Sequence, residues 1–87
     1  MDDDLASASV GFLFAELHTG LTFAEIALSA SGDDPGKLER NRENARKAYD
    51  SLLRFQGRTV LSAEEAAELE TGKEKLKTAL KALGEQV

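Results

Sequence analysis

Apolar residues recur along this chain at spacings of three and four, the signature of helices with one buried face, in three segments separated by two polar turns. The last segment has the sharpest boundaries. Ser62-Ala63-Glu64-Glu65 matches a capping box, in which the serine hydroxyl accepts from the amide three residues on and the glutamate accepts from the serine amide. Leu69, Leu76, Leu80 and Leu83 follow on one stripe with Gly72 and Ala79 beside them, and Gly84 supplies a left-handed stop. Early glutamates and later lysines complement the helix dipole at both ends. The middle segment follows Ser31-Gly32-Asp33-Asp34-Pro35-Gly36, with Asp34 as the cap and Pro35 in the first helical position, where no amide proton is needed. Leu38, Ala45, Tyr49 and Leu52 form its stripe, and Gly57 marks its end. Leu61 stands where a hydrophobic staple holds the start of the third helix.

The first segment admits two readings. Thr22-Phe23-Ala24-Glu25 is a second capping-box match and argues for a break at His18-Thr19-Gly20. Against it, Val10, Phe14, Leu17, Leu21, Ala24 and Leu28 keep one stripe running across that point, which favours a single helix with Gly20 beside the stripe. The fold class that follows is all-α: an antiparallel three-helix bundle over about residues 4–30, 35–56 and 63–83, with a long N-terminal helix, or four helices if it breaks near Gly20. The predicted core joins those three stripes. With 87 residues and no shift in composition, residues 1–87 read as one domain with little core to spare.

The first helix carries more apolar surface than one stripe. Leu5, Phe12, Phe23 and Ile26 fall on its other side, widening the apolar arc to roughly 200°, against the stripe of about 100° that a one-sided surface helix needs. Such a helix either lies centrally between the other two or keeps a face for another molecule. Glu16 falls within the arc, so one edge stays wet or supplies the carboxylate with a partner.

Leu17-His18-Thr19-Gly20-Leu21-Thr22-Phe23-Ala24 and Asn44-Ala45-Arg46-Lys47-Ala48-Tyr49-Asp50-Ser51-Leu52-Leu53 together resemble the two halves of a tetratricopeptide-type helical hairpin. Gly20, Phe23, Ala45, Tyr49 and Leu52 carry the match, over about residues 17–53. The connection between the halves is longer than that family's tight turn, and there is room for one unit only, whereas such arrays stack several. The whole sequence is also similar to small bacterial helical proteins that carry such a hairpin. The resemblance implies a module that binds protein.

The net charge of −5 is unevenly spread: residues 1–36 carry −7, residues 37–58 carry +4 and residues 59–87 carry −2. The first and middle helices are expected to attract each other for that reason. Arg40, Lys47 and Arg54 recur every seven residues on the outer face of the middle helix, where a polyanion or nucleic-acid binder would place phosphate contacts. Glu43 and Asp50 stand four residues before Lys47 and Arg54, the order favoured for ion pairs along a helix, so this face reads first as salt-bridged and the pattern argues against nucleic acid.

Catalytic chemistry finds no footing. His18 is the sole histidine, without a placed nucleophile or orienting acid, and it points away from both stripes of the first helix. Glu16, His18 and Glu25 do not share a face as metal ligands, there is no cysteine, and no phosphate loop or nucleophile elbow occurs. No enzyme, cofactor or metal is expected. The acidic start Met1-Asp2-Asp3-Asp4 lacks the cationic stretch of an export signal, and no apolar run approaches membrane-spanning length. A cytoplasmic setting is expected. The leading functional expectation is a non-enzymatic protein-interaction module, self-associating or binding another protein through Leu5, Phe12, Phe23 and Ile26. The alternative is a polyanion binder acting through Arg40, Lys47 and Arg54.

Overall fold

The computed structural model describes residues 2–30 and 34–87, with side chains from residue 9 onward. Three helices follow in order: α1 (Asp2–Ser29), α2 (Pro35–Gln56) and α3 (Ala63–Ala82), with no strand among the described residues. The molecule is elongated, 50 Å by 21 Å by 17 Å. Its length comes from α1, whose 28 residues span about 42 Å at 1.5 Å per residue.

Local chemistry sets the helix ends. The Asp34 carboxylate accepts from the Lys37 amide at 3.0 Å with Pro35 next in line, and the Asn41 side chain donates back to the Lys37 carbonyl at 2.8 Å. At α3 both halves of the capping box form: the Glu65 amide donates to Ser62 Oγ at 3.1 Å, and the Ser62 amide to Glu65 Oε1 at 2.9 Å. Gly84 adopts φ +91°, which lets its amide reach the Lys81 carbonyl and the Glu85 amide reach the Leu80 carbonyl at 2.9 Å. That double bond pattern terminates the helix in a left-handed residue, a conformation that costs glycine little.

α1 passes through His18-Thr19-Gly20 without a break, so the Thr22 box is not used as a cap. Burial decides the matter. Gly20 lies where all three helices converge: a Cβ there would stand 2.7 Å from Leu76 Cδ2 of α3 and 3.2 Å from Ala48 Cβ of α2. The contact is reciprocated one turn away, where Leu17 of α1 presses its side chain onto the backbone of Gly72 in α3. Each helix thus offers a glycine to the other's leucine, and the backbones approach closely because neither glycine has a side chain to hold them apart.

The core is built from Leu13, Leu17, Ala24 and Ala27 of α1, Ala45, Ala48, Tyr49 and Leu52 of α2, and Leu69, Leu76 and Leu80 of α3. On α1 the buried positions, Gly20 included, are spaced four, three, four, three, a seam of the coiled-coil kind. That seam lies between the two apolar stripes of α1. It is turned about 60° from the stripe expected to face the core. Leu13 and Ala27 consequently enter the core, whereas Leu28, expected inside, is half exposed, and Phe14 and Leu21 pack on the flank. α1 contacts both other helices, which touch each other least, so its wide apolar arc reflects a central position.

The residues after α3 are held against α2 by two arginines. Arg42 donates to the Leu83 carbonyl and approaches Glu85 at 3.3 Å, while Arg46 donates to the Gln86 carbonyl at 2.9 Å and pairs with Glu85 at 3.3 Å. Leu83 and Val87 pack on the core edge beneath them.

Candidate interaction surfaces

The residues expected to bind a partner divide among different environments. Phe23 packs on the core and Ile26 is half-buried. Phe12 stays 42% exposed, with its ring set edge-on to Phe55 of α2 at 5.2 Å and 83°. Arg58 lies over the opposite partner of that pair, 6.0 Å from the Phe55 ring centre, so the cluster combines an aromatic contact with a cation–π contact. The side chain of Leu5 falls outside the described residues. Glu16, on the same side of α1, is half-exposed with no ion pair among the described contacts, which keeps this flank wet.

On the outer face of α2, Arg40, Lys47 and Arg54 are all exposed. The expected pairing is corrected there: Asp50 takes Arg46 at 3.0 Å rather than Arg54, and none of Arg40, Lys47 and Arg54 has an ion pair among the described contacts. The cause is geometric. Arg46 is already oriented by Glu85 and Gln86, so Asp50 meets a guanidinium whose rotamer is settled. No ion pair joins α1 to α2 among the described contacts either, so the mutual attraction of acidic and basic segments is not expressed as bonds, and apolar packing carries that seam.

The feature that sequence reasoning missed lies between α1 and α3. An open groove of about 860 Å³ runs there, with Phe14, Leu17, Leu21, Ala67 and Gly72 as the apolar part of its lining. The Thr71 hydroxyl folds back onto the Ala67 carbonyl at 3.0 Å, a self-satisfied bond that occupies its polar proton along this wall. Glu64, Glu65, Glu68, Lys75 and His18 complete the lining. All but Glu65 of these five are exposed, and Glu65 is engaged in the cap of α3. The groove opens because the first half of α3 is poor in bulk. From Ala63 to Thr71 its only large apolar residue is Leu69, which is spent on the core. The signal lies in a run of alanine and glutamate facing a stripe of phenylalanine and leucine whose spacing alone reads wholly as core.

Among the described residues no helix is long and apolar enough to cross a membrane. No protein-family model matches the chain, no curated protein matches it, and no solved structure matches it.

Proposed function

We propose that this protein is a non-enzymatic, cytoplasmic interaction module that binds a protein partner along α1. The observation that carries the proposal is the α1–α3 groove, in which Phe14 and Leu21 are only partly covered by the protein's own helices. Grooves with an apolar lining between helices are where an amphipathic segment finds area to bury. The setting is an antiparallel bundle. Phe12 meets Phe55 and Gly20 meets Ala48, an opposed order along α1 and α2, and Gln56 meets Lys73 while Arg42 meets Leu83, an opposed order along α2 and α3. The basic face of α2 is the weaker docking surface, because Glu43 and Asp50 are interleaved with Arg40, Lys47 and Arg54 and lower its net charge.

Site-specific photocrosslinking tests the proposal. A photoreactive side chain at Thr71, on the groove wall, is expected to trap a partner of defined mass from native extract, competed away by unlabelled protein. The same group at Glu43, on the outer face of α2, is expected to trap none. Equal labelling at both positions, or none at Thr71, would count against the groove as the working surface.

A further inference from the structure

Resting on that reading, we infer that the occupant of the groove is a foreign amphipathic helix whose apolar stripe is flanked by lysine or arginine. Length and shape point to a helix. The α3 wall runs from Glu64 to Lys75, about 16 Å at 1.5 Å per residue, or three turns. Two helices side by side leave a trough into which the side chains of one more helix interdigitate, turning three helices into four. This part of the lining takes apolar knobs, since Phe14, Leu17, Leu21, Ala67 and Gly72 offer no donor or acceptor side chain.

The lining supplies the charge preference. Glu64, Glu65 and Glu68 stand against the single lysine Lys75, and neither Glu64 nor Glu68 has an ion pair among the described contacts. A basic flank meets those carboxylates favourably, and an acidic flank is repelled. A second copy of this chain does not offer such a segment. Its basic face on α2 presents Arg40, Lys47 and Arg54, but beside it Leu53 is a lone exposed large apolar side chain rather than a stripe: Tyr49 and Leu52 are buried, Phe55 packs on the core and Leu38 is half-buried. The first turn of α1, with Asp2, Asp3 and Asp4, has the wrong sign.

Two synthetic helical peptides of about four turns, the length of the groove plus one turn, test the inference against the intact protein. They share one leucine stripe and differ in carrying lysine or glutamate at every flanking position. The lysine peptide is expected to bind at least ten-fold more tightly than the glutamate peptide, and to weaken as salt is raised. Ala67→Trp, which fills the groove from an exposed position, and the pair Glu64→Lys with Glu68→Lys are each expected to weaken it at least ten-fold. Glu43→Lys, on the outer face of α2, is expected to leave it unchanged, and circular dichroism confirms that each variant is folded. Lysine-peptide binding that ignores Ala67→Trp overturns the inference, as does binding of neither peptide. If the glutamate peptide binds more tightly and is blocked by Ala67→Trp, the basic partner is overturned while the groove stands as a protein-binding site. Absence of crosslinking at Thr71 would instead remove the broader reading.

Discussion

α1 meets its two companions in different ways. Against α2 the contact is extensive: Ala45 and Ala48 are small and buried, Tyr49 and Leu52 fill the seam, and Phe12 still reaches Phe55 near the far end. Against α3 the contact is intense but local, concentrated where Leu17 meets Gly72 and Leu76 meets Gly20, and it gives way to the groove beside Phe14 and Leu21. Small residues distributed along a helix allow close approach over its length, whereas one glycine allows it at one point. The first arrangement seals a face of α1. The second leaves a neighbouring face available.

The largest expected effect comes from emptying the local contact. Leu76→Ala removes a fully buried side chain that fills the hollow at Gly20, and it should lower stability by roughly 2–5 kcal/mol in urea unfolding. A loss near 1 kcal/mol would mean that α3 is loosely held and that α1–α2 packing alone dominates stability.

Filling the same contact from the other side gives a smaller effect whose sign is informative. Gly20→Ala gains about 1 kcal/mol of helix propensity, but its methyl meets Leu76 and Ala48 at 2.7 Å and 3.2 Å, from two helices at once. Overpacking of that kind typically costs about 1–3 kcal/mol, so a net destabilisation of about 1 kcal/mol is expected. Gly11→Ala serves as its counterpart: nothing lies within 4 Å of the added methyl, and the residue is exposed in mid-helix. It should raise stability by about 0.5–1 kcal/mol, read as a higher urea midpoint. Equal stabilisation by the two substitutions would contradict the close crossing at Gly20.

Much of the fold was legible because helix boundaries are local. Asp34-Pro35, Ser62 with Glu65, and Gly84 each place a donor or acceptor within a few residues of the group it satisfies, and the structure has all of these bonds. The continuity of α1 was legible as well, from a stripe that outlasts an internal capping motif. The groove was less so. Phe14, Leu17 and Leu21 read as one apolar stripe, yet of the three only Leu17 enters the buried seam, which turns toward Leu13 and Ala27, while Phe14 and Leu21 lie on the flank toward α3. Asp50 shows the same limit for charges, since spacing along the helix allows both Arg46 and Arg54, and the residues following α3 decide between them.

What the amino-acid order determined by itself is where α2 and α3 begin, and that α1 is apolar over too wide an arc to serve a single neighbour; it favoured an unbroken first helix, and burial at Gly20 decided it. The first two properties depend on contacts within a turn or two of chain. The tertiary structure alone decided how α1 is rotated about its axis and which part of its apolar arc is left uncovered. An arc that wide tolerates several rotations, and the one adopted is selected where Leu17 and Leu76 find glycines on the opposite helix.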